Sequence, residues 1–452
     1  MKGDDISFPG ADSHHSDTCV HSLNVYLGYS VNFRFRSLLS WLPKLDRQVW
    51  ILAFGRLLSQ LGNGFTLFYA PIFFVNQVGL SATAVGIGLG SSSISGVVGR
   101  FIGGSASDSP RWGRRKTLLA SAAVSAVADV ALATAFNFPL FVLGNMLMGL
   151  GIGLYWPATE AVVADLTTGD ERNEAFALVR LADSLGLSLG IVLGGALIEL
   201  TGQYRLLFVI DGVTYVLFFG IIYWAIAETL QTEGQSSSLF SGWKTALGDR
   251  RLWIFACVNT LITMYLAQVQ STMPLYFSNI VPAGEKGTGF STAIISALFT
   301  WHVALTALCQ LPVARFLNRL TRVKALGLSL LLWGAGFICI VLTGTASGGY
   351  LLWAALALAV LAIATVTYLP SASAFIIDIA PESMRGVYLS INSQCWAIGY
   401  FIGPPLGGWA LDQSAQVAHG FWLALAVSSL GGLGILYALN QVLPPPATRS
   451  SE

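Results

Sequence analysis

YWPATEAVVADLTTGDERNEAFALVRLADSLGLSLGIVLGG occupies residues 155–195, and YLPSASAFIIDIAPESMRGVYLSINSQCWAIGYFIGPPLGG occupies 368–408. Laid together without a gap, at an offset of 213 residues, they match Tyr155 with Tyr368, Pro157 with Pro370, Asp165 with Asp378 and Arg172 with Arg385. The same offset lays Gly186, Gly190, Gly194 and Gly195 on Gly399, Gly403, Gly407 and Gly408. Glycine matches alone arise easily between apolar segments. A shared Asp and a shared Arg do not, in a chain of which 10% is charged. The sequence therefore reads as a duplication.

Outward from that pair, 54% of the 452 residues are hydrophobic and mean hydropathy is +0.66. An average soluble domain carries about 25% charged residues, so a soluble core cannot absorb this much apolar surface. The apolar stretches run 21 to 29 residues each, the length that crosses about 30 Å of hydrocarbon as a helix. Twelve are expected, at 48–75, 83–107, 116–136, 139–164, 173–200, 206–227, 252–279, 289–317, 324–344, 350–378, 386–412 and 418–441. The fold class is all-α: a polytopic membrane protein with twelve transmembrane helices in two pseudo-symmetric six-helix bundles, 48–227 and 252–441. The polar segment 228–251 joins them as a cytoplasmic linker, after an extension at 1–47 and before a tail at 442–452. Parallel repeats related by an axis along the membrane normal are one recurring way to build a carrier, with its site near the midplane between halves.

Placement of the 24 Lys and Arg residues sets the expected orientation. With both termini inside, the external loops hold Arg205 and Lys286, Arg56 and Arg180 fall within spans, and the other 20 lie at cytoplasmic ends, loops or tails. That asymmetry is the positive-inside rule, and it implies a multi-pass protein of the inner (plasma) membrane. Net charge is +1, which gives no bulk field for nucleic acid. The five cysteines lack metal or disulfide spacing, and His14, His15, Cys19 and His21 lie in a polar tail without a framework. No metal and no cofactor are expected. Nor does an enzyme's paired carboxylates, nucleophile set or GxxxxGK[ST] loop stand out.

Between the second and third spans the chain reads GGSASDSPRWGRRKTLL, residues 103–119. This resembles the signature loop of the major facilitator superfamily. Gly104 and Asp108 keep the family spacing, and Gly113, Arg114 and Arg115 its basic end, but four residues stand before Gly113 where the family has two. GNMLMGLGIGLYWPA at 144–158 fits a family pattern that opens on Arg, with Asn145 in its place. The fifth span carries the glycines of the antiporter-associated motif with Ile191 for Pro, and GPPLGG at 403–408, with Pro404, is the fuller form. QVQSTMPLYF at 268–277 and LPVARFLNRLTRVK at 311–324 resemble the drug and sugar efflux branch. The resemblance implies a gate formed by Gly104, Asp108, Gly113, Arg114, Arg115, Asp165, Arg172, Asp378 and Arg385, with Asp108 facing the start of the eleventh span near Arg385. Glycines at four-residue spacing let helix backbones approach.

Ionisable side chains at helix depth cost about 2.5–3.5 kcal/mol on insertion scales. Arg56 could snorkel, and Arg180 and Asp183 lie three residues apart on neighbouring faces. Glu160 and Asp129 lack an opposite charge nearby in sequence and are candidates for carrying a proton; pairing with Arg56 or Arg180 is the structural alternative. His302 reads as either protonatable or packed. Gln268 and Gln270, with Tyr265 and Tyr276, offer an uncharged polar lining suited to a small organic solute. The expectation is a monomeric secondary carrier in the lipid bilayer, exporting a small molecule against protons. Uptake, or a non-transporting receptor or assembly factor, remain the alternatives.

Overall fold

The computed structural model describes residues 45–167, 169–230, 246–283, 289–317, 319–381 and 385–442. The sequence readings at 1–44, on most of the linker, at Lys286 and on the tail from 443 lie outside the described residues. Thirteen helices are described: α1 Arg47–Asn76, α2 Ala82–Ser107, α3 Gly113–Thr134, α4 Phe138–Leu166, α5 Gly169–Thr201, α6 Arg205–Ala225, α7 Arg250–Gln270, α8 Thr272–Asn279, α9 Thr292–Leu317, α10 Arg322–Thr345, α11 Tyr350–Ile379, α12 Arg385–Leu411 and α13 Ala415–Val442. They form twelve crossings, because α7 and α8 are the two parts of the seventh expected span. The break falls at Ser271, since Pro274 has no N–H to give the Gln270 carbonyl.

Most helices start where side chains satisfy free N–H groups. Ser81 caps α2 through Ala84 N, Asn137 caps α4 through Leu140 N, and Thr321 caps α10 through Lys324 N. Among the described residues, ten helices are long and apolar enough to cross a membrane by composition. Neither α1 nor α12 is among the ten, although both are of crossing length at 30 and 27 residues. Their Asn, Gln, Ser and Gly residues lower their hydropathy, and both helices line the internal cavity described below. Leu200 and Trp224 are each 84% exposed, a surface that suits hydrocarbon and not water.

Helix pairing is the same in the two halves. Helix α1 packs on α5 and α6 as α7 packs on α12 and α13; α4 packs on α2 and α3 as α11 packs on α9 and α10. Between the halves, α2 packs on α12 and α5 on α9. Glycines make the close pairs possible. A Cβ on Gly190 would lie 2.9 Å from Gly64 Cα on α1, and one on Gly399 would lie 2.7 Å from Met264 N on α7. Gly186 and Gly194 also face α1, Gly403 and Gly407 face α7 and α8, Gly195 faces Ser296 of α9, and Gly408 faces Ala82 of α2. Pro404 and Pro405 stand inside α12, and the Pro404 carbonyl lies against Gly86 of α2.

One end of the molecule carries the loop 108–112 and the basic run Arg114, Arg115 and Lys116 that follows it. There Arg114 pairs with Asp108 and, at 3.3 Å, with Asp165 at the end of α4. Arg322 pairs with Asp378 at 3.5 Å at the equivalent place in the second half. Glu228 accepts from the backbone N–H groups of Arg114 and Arg115, which caps α3 where Gly113 adopts φ +74°. Asp249 caps α7 and accepts from Arg251 and from the Tyr388 hydroxyl at 2.8 Å. Burial pushes the Asp249 carboxyl up, but hydrogen bonds from the Arg251 side chain, Tyr388 and the Arg251 backbone N–H outweigh it and hold it below its ordinary value.

Candidate functional site

A cavity of about 710 Å³, part of it open to solvent, lies between the halves. Helix α1 contributes Asn63 and Thr66, α4 Phe141 and Asn145, α6 Phe208, α7 Gln270, and α12 Tyr400 and Pro404. The Tyr400 hydroxyl donates to Gln270 Oε1 at 2.9 Å, which presents an aromatic face and an amide together. Gln268, two residues earlier, points elsewhere. It is fully buried and donates to the Gly403 carbonyl at 2.7 Å, tying the helix break to α12.

The cavity is closed at the end away from the basic loops. Asn76 bonds Ser278 and Asn279 across the halves, and Tyr204 bonds Thr292 at 3.0 Å. Just past α12, the Asp412 carboxylate accepts from Ala82 N and Thr83 N, both at 2.7 Å, and from the Thr83 hydroxyl. It thereby caps α2 from the other half. Towards the basic end, the last inter-half hydrogen bond among the described residues is from Arg100 to Ser393. Asp108 is 75% exposed and held by Arg114, and a Cβ on Gly104 would meet nothing within 4 Å. The side chains of Arg172, Arg180 and Arg385 lie outside the described residues. Arg115 donates to the Tyr223 carbonyl.

Inside the first half, Arg56 does not snorkel. It is buried, pairs with Asp183 of α5, and lies 4.0 Å over the ring of Tyr155 and 4.6 Å over that of Trp156. Asp183 therefore takes an interhelical partner, and the expected pairing with Arg180 falls on a side chain outside the described residues. Glu160 is exposed near Arg100, which feels its charge. His302 packs within the second half, where Nδ1 donates to the Leu358 carbonyl at 2.9 Å.

Asp129 meets a residue the sequence reading passed over. It packs against α6, its Cβ 3.3 Å from where a Cβ on Gly212 would stand, next in sequence to the buried Asp211, and neither of its carboxyl oxygens has a described hydrogen-bond partner. Asp129 is 1% and Asp211 0% exposed. Asp211 accepts from the Thr66 hydroxyl at 2.9 Å and the Thr214 hydroxyl at 3.4 Å. No Lys, Arg or His among the described residues forms an ion pair with either acid. A second, polar cavity of about 500 Å³ reaches Ser125 and Tyr215, each one helical turn from an acid, and opens onto Arg56 and Trp156.

A sequence profile described as the Major Facilitator Superfamily matches residues 52–281 and 276–452. The chain is 24% identical over 400 residues to the multidrug resistance protein MdtH of Photorhabdus laumondii, covering 87% of this chain and 93% of that one. It is 24% identical over 377 residues to YttB of Bacillus subtilis, an uncharacterised transporter of the same superfamily, covering 82% and 89%. Among solved structures it resembles the nucleoside transporter NupG with a TM-score of 0.75 at 13% identity, over 87% of this chain and all of that one. A bacterial homologue of the human lysosomal transporter Spinster, in an inward-facing and unoccupied conformation, gives 0.70 at 14% identity, over 88% and 98%. At such identities the structural likeness carries the fold alone.

Proposed function

The chain belongs to the Major Facilitator Superfamily, and from that premise we propose that it is a secondary carrier that exports small amphipathic organic molecules in exchange for protons. The central cavity carries this reading. Its aromatic rings and amides, without a fixed charge among the lining residues, suit a flat organic solute better than an inorganic ion. The multidrug name of the MdtH relatives points the same way. The basic loops mark the cytoplasmic side of the inner membrane, with both termini on that side. The conformation described is then inward-facing: sealed outside by Asn76, Tyr204 and Asp412, with Asp108 released inside.

In the return step the outer seal opens and Asp108 moves to the start of α12. A helix start offers free N–H groups and partial positive charge, so an acid docks there readily. Asp165, Asp378 and their arginine partners hold the loops that swing, and the glycine faces of α5 and α12 are the surfaces that slide. The working unit is one chain. Everted vesicles given a panel of organic dyes on the outside, with and without an imposed pH gradient, test the proposal. Saturable uptake that a gradient accelerates supports it, and binding without flux would mark a receptor.

A further inference from the structure

Two buried carboxyl groups lie where α3 meets α6, Asp129 packing against Gly212 beside Asp211, and no described cation pairs with either. Neither Asp129 oxygen has a described partner, and a carboxylate buried without one cannot stay ionised in a medium of low dielectric, so the Asp129 carboxyl holds a proton. Neither acid lines a cavity itself, but a polar one comes within a helical turn of each. The polar cavity reaches Ser125 beside Asp129 and Tyr215 beside Asp211, while Thr66, which donates to Asp211, also lines the solute cavity.

Building on the proton-exchange reading above, we propose that Asp129 and Asp211 together are the proton-binding site that drives transport. The pair is loaded from water in the polar cavity and linked to the solute by the Thr66 hydroxyl. Proton uptake forms an O–H bond on one carboxylate oxygen, taking the pair from one proton to two and from a single negative charge to neutral. Release breaks that bond and returns the proton to water, so no other reactant is needed. In the singly protonated state the hydroxyls of Thr66 and Thr214 hold the remaining charge. A positively charged aromatic solute in the cavity favours that state, and neutralising the pair favours letting the solute go. The charged and titratable groups around the pair are Tyr215 on α6, Arg56 on α1, Tyr155 on α4 and Asp183 on α5. Asp183 neutralises Arg56, so that group contributes little net charge.

The test uses the full chain in two measurements, with ethidium as probe. In detergent and weak buffer, adding ethidium to the wild type should release about one proton per chain, and Asp129→Asn and Asp211→Asn should each abolish the release. Thr66→Val keeps both carboxyls and should displace the pH at which release is half complete. In everted vesicles the two Asn variants should lose gradient-driven ethidium uptake yet keep exchange at equal pH. Unaltered proton release in Asp211→Asn, or an unaltered pH profile in Thr66→Val, overturns the assignment. If wild-type flux ignores the gradient, the proton-exchange reading fails as well. If wild-type flux follows it and both Asn variants do too, the pair alone is wrong.

Discussion

Replacing Asp412 by Asn should release the outer seal. The carboxylate accepts two backbone N–H groups at 2.7 Å and one hydroxyl at the first turn of α2, all from the opposite half. Such a cap contributes about 0.5–2 kcal/mol, and the helix dipole adds to it because the acid carries full charge. Asn keeps one acceptor and loses the charge, so about 1 kcal/mol should disappear from the inward-facing state. That shifts the population roughly fivefold towards outward-facing forms. Spin labels placed on the outer ends of α2 and α12 would read it as a longer-distance fraction that grows in the variant. Asp108→Asn, at the other end of the same helix, should move the population the opposite way. An unchanged distance distribution in Asp412→Asn would refute the latch, whatever transport does.

Three further outcomes follow from the packing. Asp183→Leu leaves Arg56 charged and without its partner, which should cost about 3 kcal/mol, while the double change Arg56→Met, Asp183→Leu should recover most of it, as thermal melting in detergent would show. The Asp249 carboxyl sits below its ordinary value, so its bonds to Arg251 and Tyr388 stabilise the fold above about pH 4 and are lost as pH falls further. Asp249→Asn should therefore be less stable at neutral pH and show a shallower acid decline. Gly99→Leu would put a side chain where a Cβ already lies 2.6 Å from the Leu150 carbonyl oxygen, separating α2 from α4 at about 1–3 kcal/mol, with reduced yield of folded protein as the readout.

The architecture was legible in the sequence because hydrocarbon demands long apolar helices, and because the duplicated Asp and Arg survive against a nearly uncharged background. Span length could not show where the seventh helix breaks; the clue was Pro274, whose missing N–H falls one turn after Gln270. The buried charges were read less well. Arg56 looked like a snorkelling end charge, and Arg100 like part of a cytoplasmic rim. Each instead reaches another helix, to Asp183 and Ser393, and helix packing is a long-range fact that local spacing does not hold. Asp211 was missed although it stands alone in the apolar run LLFVIDGVTYVLFF at 206–219, the same signal that drew attention to Asp129.

In the proposed function, the cavity between the halves carries an organic solute across the bilayer at the expense of a proton gradient. Ethidium uptake into everted vesicles, measured with and without the chain and with and without an imposed pH gradient, tests it most directly. Uptake should be saturable, require both the chain and the gradient, and collapse when a protonophore is added. Uptake equal in vesicles with and without the chain, across ethidium and a panel of uncharged and anionic dyes, would contradict it.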